Sequence, residues 1–87
     1  MYKIVFGQDA EKQFKKLEKE VQNRICNALK RIEVRPYSFV EKLVGFPYYK
    51  LRIGHYRIIL DIKNNENILF IMKIGHRKDI YKNFNIK

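Results

Sequence analysis

The chain has 87 residues, with 19 Lys or Arg side chains against 9 Asp or Glu side chains, and its formal net charge is +10. This length suits one domain over residues 1–87, and a hydrophobic fraction of 46% predicts a folded core. The single cysteine, Cys26, excludes an internal disulfide and a multi-cysteine zinc site, and its apolar helical surroundings predict a buried thiol. No apolar run reaches the ~18 residues of a membrane span, and no signal-peptide pattern follows Met1. We therefore expect a cytoplasmic protein with no membrane partner.

The positive charge is unevenly distributed along the chain. Residues 35–87 contain eleven bases against four acids, whereas residues 1–34 contain eight against five. Clustered bases on a small folded domain indicate a nucleic acid or an acidic protein as partner. A lysine-rich solvated surface is the simpler explanation for four lysines of the first half: Lys12, Lys15, Lys16 and Lys19.

The first half of the chain predicts a strand and then helices. Residues 2–6 read as a short strand that Gly7 ends. Apolar residues then recur at helical spacing over residues 8–35, and a proline at the next position ends the pattern. One long helix or two helices fit this spacing. We favour a helical hairpin broken near Lys19 and Glu20, because two antiparallel helices would cover a small sheet better.

The second half predicts three strands after an irregular link over residues 36–47. The strands are expected at residues 48–53, 56–62 and 68–74. Gly54 and His55 form a two-residue loop between the first two strands, and glycine in first place favours a type II′ turn. A short basic and aromatic C-terminal tail follows, over residues 76–84.

This element order, β-α-α-β-β-β, predicts an α+β fold. We expect a small antiparallel sheet of about four strands with the helical hairpin packed on one face. The first strand is expected at one edge of the three-stranded meander that the second half forms.

A group of cations falls on one face of the predicted hairpin. In this register Arg52 lies directly opposite Arg57, and Lys50 lies two positions further along the same face. Like charges opposite each other on a sheet are destabilising. A fold that keeps them there is expected to place an anion between them, and phosphate is the best candidate.

Such a cationic site could cut RNA without a metal or another cofactor. The enzyme must orient the ribose 2′-hydroxyl, spread the charge of the attacked phosphate, and protonate the leaving 5′-oxygen. Arginine suits the second task, because its planar guanidinium donates two hydrogen bonds to one phosphate. Lys50, whose ammonium form is disfavoured by neighbouring cations, is a candidate base, and Tyr81 could stack on a nucleobase or move a proton. The same residue types would also fit a surface that binds phosphate without reacting.

Four motifs occur in a fixed order along the chain. They are Lys42-Leu43-Val44-Gly45, Tyr49-Lys50-Leu51-Arg52, Tyr56-Arg57-Ile58 and Ile74-Gly75-His76-Arg77-Lys78-Asp79-Ile80-Tyr81. This set resembles the RelE/ParE toxin superfamily over nearly the whole chain, most strongly the archaeal RelE-type toxins. The resemblance implies an endoribonuclease that cuts mRNA in the decoding site of the ribosome and stops translation. Its 2′-hydroxyl attack needs no metal and leaves a 2′,3′-cyclic phosphate.

The resemblance also implies a role for each cationic position. The expected catalytic residues are Lys50, Arg52, Arg57, Arg77 and Tyr81, with His76 as a further candidate for proton transfer. The expected RNA contacts are Lys42, Lys50, Arg52, Arg57 and Lys78. Arg52 stands where the best-known branch has a lysine, and the interval from Arg77 to Tyr81 is shorter than in that branch. The role of base is therefore expected to fall on Lys50 or Tyr81.

The partners that the resemblance implies are the ribosome, its mRNA and a tightly bound RelB-like antitoxin, in a heterotetramer or a larger complex. Two other functions stay open at this point. A ParE-like toxin would poison DNA gyrase and would lack the catalytic cations. A non-catalytic relative would bind RNA or ribosomes without cutting.

Overall fold

The computed structural model describes residues 1–82, so Asn83 and Phe84 of the predicted tail lie outside the described residues. The helices and strands are β1 (Lys3–Phe6), α1 (Gln8–Lys15), α2 (Lys19–Val34), β2 (Val40–Lys42), β3 (Tyr49–Ile53), β4 (Tyr56–Lys63) and β5 (Ile68–His76). Short 3₁₀ helices over Pro36–Ser38 and Asn64–Glu66 precede β2 and β5. No helix within residues 1–82 is long and apolar enough to cross a membrane.

The five strands form one mixed sheet in the order β1-β5-β4-β3-β2. The α+β class and the edge position of the first strand are confirmed. The sheet differs from the prediction in two details, because β1 pairs with β5 in parallel and Val40–Lys42 adds a fifth strand beside β3. A strand as short as Val40–Lys42 shows too little alternation to be recognised from sequence, so residues 36–47 read as an irregular link.

The predicted helical hairpin is confirmed, and its break lies at residues 16–18. The carbonyl oxygen of Phe14, at the end of α1, accepts hydrogen bonds from the Leu17 backbone N–H at 3.1 Å and from Gln22 Nε2 at 2.9 Å. Glu18 then has an extended backbone, with φ −61° and ψ 151°, from which α2 begins. A side chain of α2 thus adds a second hydrogen bond to a carbonyl group at the end of α1.

The main core lies between the two helices and one face of the sheet, which we call the inner face. Its buried residues are Ala10, Ile25, Ala28, Leu29, Ile32, Leu51, Ile53, Ile58, Leu60, Ile62, Leu69, Ile71 and Ile74. The prediction of a buried thiol is wrong, because Cys26 is exposed. Ile25, Leu29 and Ile32 form the buried stripe of α2. Cys26 directly follows Ile25, so it is turned by ~100° around the helix axis and lies off this stripe.

A smaller cluster covers the centre of the opposite face, which we call the outer face. Leu43, Ile59 and Ile80 are buried there, and Tyr48 and Met72 pack against them. The loop after β2 and the turn after β5 therefore both close over the outer face. The cationic positions of the hairpin lie on this same face, beside the cluster.

Candidate functional site

The β3–β4 hairpin has the register that the sequence predicts. Ile53 pairs with Tyr56 and Arg52 pairs with Arg57. Gly54 has a φ of +58°, and Asn67 is the one non-glycine residue with positive φ within residues 1–82. A left-handed first loop residue followed by an ordinary second one is the geometry of a type II′ turn. This turn holds the two arginines side by side on the outer face.

Arg57 is fixed by the hairpin turn itself. Its Nη1 donates hydrogen bonds of 2.8 Å to the carbonyl oxygens of Gly54 and Tyr56. The other guanidinium donors, Nε and Nη2, have no hydrogen-bond partner among residues 1–82, and they are available to an anion. The side chain is therefore already oriented before any ligand arrives.

Two further lysines share the outer face with these arginines. Across the sheet, Lys50 pairs with Ile59 and Ile59 pairs with Lys73, while Arg57 also pairs with Gly75. We call Lys50, Arg52, Arg57 and Lys73 the cationic face. Lys73 was missed from sequence, although it is the one charged residue in the apolar stretch 68–74.

A β-bulge explains why the orientation of Lys73 was hard to predict. Ile59 pairs with Lys73 but Leu60 pairs with Ile71, so Met72 is an extra residue in β5. Simple alternation from buried Ile71 would turn Lys73 towards the inner face. The bulge resets this alternation and leaves Met72 and Lys73 together on the outer face.

Three cations of this face, Lys50, Arg52 and Arg57, are not neutralised by close ion pairs within residues 1–82. Within residues 1–82 the two ion pairs join Lys63 to Asp61 at 3.7 Å and Lys82 to Asp79 at 3.2 Å. Neither includes Lys50, Arg52 or Arg57. Glu41 is the strand partner of Lys50 on its other side, so one carboxylate position does border this end of the face.

The turn after β5 lies against the hairpin loop. The backbone N–H of Arg77 donates to the carbonyl oxygen of His55 at 2.7 Å, which places Arg77 beside the loop. Buried Ile80 folds back over Gly75, the strand partner of Arg57, so close that a Cβ at that glycine would lie 3.2 Å from Ile80 Cδ1. The backbone of Arg77 thus lies beside the hairpin loop, and Tyr81 directly follows a residue that packs on the strand partner of Arg57.

Tyr81 lines an apolar slot at the edge of the outer face. The slot has a volume of about 300 Å³, and its other walls are Leu43, Val44 and Phe46. The Tyr81 side chain is 47% exposed and that of Val44 is 95% exposed. An aromatic ring among exposed apolar groups forms a surface on which a nucleobase can stack.

Lys42 does not join the cationic face. It pairs with Tyr49 in the β2–β3 ladder, and its Nζ lies 5.6 Å from the centre of the Tyr49 ring. Tyr49 packs against the main core, so Lys42 lies on the inner side of the sheet. Burial raises the pKa of the Tyr49 phenol, and nearby Tyr37 raises it further. Tyr49 therefore stays neutral at physiological pH and acts as a packing residue.

His76 also lies away from the cationic face. Its ring stacks on that of His55, with centroids 5.9 Å apart, and it meets the Tyr56 ring edge-on at 5.7 Å. Tyr56 pairs with Ile53, which is part of the inner core. The backbone N–H of exposed Lys78 donates to His76 Nδ1 at 3.1 Å. Within residues 1–82 no three His, Cys, Asp or Glu side chains are placed to hold a metal ion.

Two glycines with positive φ provide a matched test of the hairpin turn. We expect Gly45→Ala to lower the free energy of unfolding by about 1–2 kcal/mol, because its φ is +82° while no other atom lies within 4 Å of the added Cβ. Gly54→Ala is expected to cost more, because the first loop position of a type II′ turn strongly favours glycine, and the flexible Arg24 guanidinium would also have to move aside. Urea unfolding curves of both variants measure the difference. Equal losses would contradict the assignment of a type II′ turn to Gly54 and His55.

The chain is similar to known toxins over most of its length. The family model described as the ParE toxin of the parDE type II toxin-antitoxin system matches residues 4–81. A protein described as a RelE-like toxin from Escherichia coli is 28% identical over 85 residues, which cover 92% of this chain and 90% of that protein.

Solved structures share the fold. The intact RelBE toxin-antitoxin complex of Escherichia coli contains a chain that is 26% identical with a TM-score of 0.76, covering 87% of this chain and 96% of that chain. For the archaeal RelE-RelB complex from Pyrococcus horikoshii the identity is 25% and the TM-score 0.76, over 90% of this chain and 97% of that chain. The RelBE2 complex from Mycobacterium tuberculosis, at 20% identity, has a TM-score of 0.81 over 87% and 98% of the two chains. The chain therefore belongs to the ParE toxin family of type II toxin-antitoxin systems, as a member with the RelE-like fold.

Proposed function

We propose that this toxin is a ribosome-dependent endoribonuclease that cuts mRNA in the decoding site and thereby inhibits translation. The observation that carries the proposal is the Arg52–Arg57 pair. These two arginines are strand partners on the outer face, and no carboxylate within residues 1–82 forms an ion pair with either. An anion between them would relieve their repulsion, and the phosphate of an RNA chain supplies one.

The reaction would be an internal transfer at phosphorus. The ribose 2′-oxygen loses its proton and attacks the adjacent phosphorus, and the bond from phosphorus to the 5′-oxygen breaks. The leaving oxygen takes up a proton, so the products are a 2′,3′-cyclic phosphate and a 5′-hydroxyl end. Negative charge grows on the non-bridging oxygens in the transition state, where Arg52 and Arg57 would donate hydrogen bonds. Arg57 suits this role because the turn already holds its guanidinium and little reorganisation is needed.

The remaining predicted residues would orient the RNA or move protons. Arg77 beside the hairpin loop would add a third guanidinium to the same phosphate or its neighbour, and Lys78 would contact the RNA backbone. Lys50 shares the outer face with both arginines, and Tyr81 borders the apolar slot. We keep both as candidates for the base that removes the 2′-proton. Stacking on Tyr81 would also turn a nucleobase away from its neighbours and align the 2′-oxygen with phosphorus.

Two predicted residues are kept outside the chemical step. His76 packs against Tyr56 on the inner side of the sheet, and Lys42 lies over Tyr49 on that side. Each would need to reach around the sheet to touch the phosphate that Arg57 binds. We assign Lys42 at most a contact with more distant RNA.

We further propose that a RelB-like antitoxin neutralises this toxin in a heterotetramer or a larger complex. The solved structures that support this are toxin-antitoxin complexes. Arg52 and Arg57 on the outer face and the exposed apolar side chains of Val44 and Phe46 offer an acidic amphipathic partner both kinds of contact. Because the substrate is mRNA on the ribosome, we place the toxin in the cytoplasm.

Primer extension on mRNA bound to purified ribosomes tests the proposed activity. The wild-type chain is expected to produce breaks confined to the decoding site and none on the same mRNA without ribosomes. A double variant, Arg57→Ala with Arg77→Ala, is expected to produce no breaks. Intact mRNA with the wild-type chain despite ribosome binding would indicate a non-catalytic relative. Intact mRNA together with DNA breaks in expressing cells would indicate a gyrase-directed toxin instead.

A further inference from the structure

A second basic site lies next to the hairpin turn, between α2 and the end of β3. It is a groove of about 290 Å³. Arg24, Asn27 and Arg31 of α2 line one wall, and Arg52 of β3 lines the other. The three helix residues follow one another at intervals of three and four positions, so they project from one face of α2. The groove therefore brings two arginines of α2 beside Arg52, whose side chain lies on the outer face of the sheet.

The groove is open because β2 is short. Strand β2 pairs with β3 only as far as Leu51, so Arg52 and Ile53 extend beyond it and leave this edge of the sheet uncovered. The Arg24 guanidinium lies over Gly54 at the tip of the hairpin. Arg52 is at once a wall of the groove and the strand partner of Arg57. The groove thus continues the cationic face around the edge of the sheet.

The charges of the groove are unbalanced within the described part of the chain. Neither ion pair of residues 1–82 includes Arg24, Arg31 or Arg52. Arg24 and Arg31 repel each other across the groove, with Arg52 at its border, and a multiply negative ligand would remove that repulsion. Asn27 adds a neutral side chain that can both donate and accept hydrogen bonds.

We propose that this groove binds the phosphodiester backbone of RNA, as a second phosphate site continuous with the cationic face. The proposal rests on the proposed binding of the toxin to RNA on the ribosome. An acidic protein segment fits the groove less well, because the apolar lining residues Ala28 and Ile53 are buried and offer no exposed anchor. Protein interfaces depend on such apolar anchors, whereas RNA backbone contacts depend on charge and on the planar fork of arginine.

The test compares two double variants of α2 that remove the same charge. Arg24→Gln with Arg31→Gln empties the groove of its helix cations, whereas Lys19→Gln with Lys30→Gln removes two exposed lysines that do not line it. Binding to purified ribosomes is measured by sedimentation at several salt concentrations. We expect the arginine variant to bind about tenfold more weakly at low salt, with a salt-dependence slope lower by about 1–2. The lysine variant is expected to keep the wild-type slope.

A charge-preserving variant separates binding from folding. Arg24→Lys with Arg31→Lys is expected to keep the salt slope while losing part of the affinity, and circular dichroism melting checks that all variants fold. Equal losses in the arginine and lysine variants would overturn the proposal, because they would mean that only net charge matters. Normal ribosome binding with lost binding of an acidic co-expressed partner would also overturn it.

The outcomes for the groove and for the enzyme are independent. If wild-type chain cuts mRNA but the arginine variant binds ribosomes normally, the groove proposal fails and the nuclease stands. If no variant cuts mRNA but the arginine variant alone binds ribosomes weakly, the groove stands and the nuclease fails.

Discussion

Replacing Arg57 by alanine is expected to slow the cleavage of ribosome-bound mRNA by about 10²–10³-fold. The loss is large because the turn carbonyls hold Nη1 of Arg57, so its Nε and Nη2 would meet the phosphate without any rearrangement. The rate is measured in single turnover with the toxin in excess over ribosomes, where weaker binding does not limit it. Circular dichroism should show a folded domain, because the side chain contributes nothing to either hydrophobic core.

The conservative variant Arg57→Lys is expected to be slowed by at least about tenfold, although it keeps the charge. A lysine has one ammonium group, which cannot bond both turn carbonyls and present two donors to a phosphate. Lys63→Ala is the matched control, because Lys63 is a cation at the other end of the same strand, eight positions after His55 of the hairpin loop. Its rate should stay within about twofold of wild type, since surface ion pairs such as Lys63–Asp61 contribute little. Wild-type cleavage by Arg57→Ala would place the reacting phosphate elsewhere on the molecule.

The hairpin at the centre of the site could be predicted because its determinants are local. A glycine in the first loop position sets the turn, the turn sets the register, and alternation then assigns each side chain to a face. The pairing of Arg52 with Arg57 follows from residues 49–60 alone. The helical hairpin was equally accessible, because the apolar stripe of α2 repeats at helical spacing over four turns.

Features that depend on distant parts of the chain could not be predicted in the same way. The parallel pairing of β1 with β5 joins residues more than sixty positions apart, and no local pattern encodes it. The inward orientation of Lys42 appears only when Val40–Lys42 is seen to pair with β3. The bulge at Met72 turns Lys73 to the outer face against simple alternation. The orientations of Lys42 and Lys73 change the set of side chains that can meet one phosphate.

The turn after β5 leads to the prediction that one buried apolar side chain controls the chemistry. Ile80 is 5% exposed and lies over Gly75, next to the strand position of Arg57. Among residues 77–82 it is the one buried side chain, so its packing holds the turn that carries Arg77 and Tyr81. We expect Ile80→Ala to lower the free energy of unfolding by about 2–4 kcal/mol. The rate of mRNA cleavage is expected to fall by at least about tenfold.

A matched core variant tells the two effects apart. Ile62→Ala removes the same atoms from the main core on the inner face, far from the turn, and should cost about as much stability. Both are assayed at a temperature at which circular dichroism shows them folded, with Ile80→Val, expected to cost about 0.5–1.5 kcal/mol, as the milder change. Trypsin should cut Ile80→Ala faster than Ile62→Ala after Arg77 and Lys78, because only the first variant releases the turn. If both alanine variants lose the same share of the cleavage rate, Ile80 acts through global stability alone. A larger loss in Ile80→Ala than in Ile62→Ala makes Ile80 the residue that positions Arg77 and Tyr81.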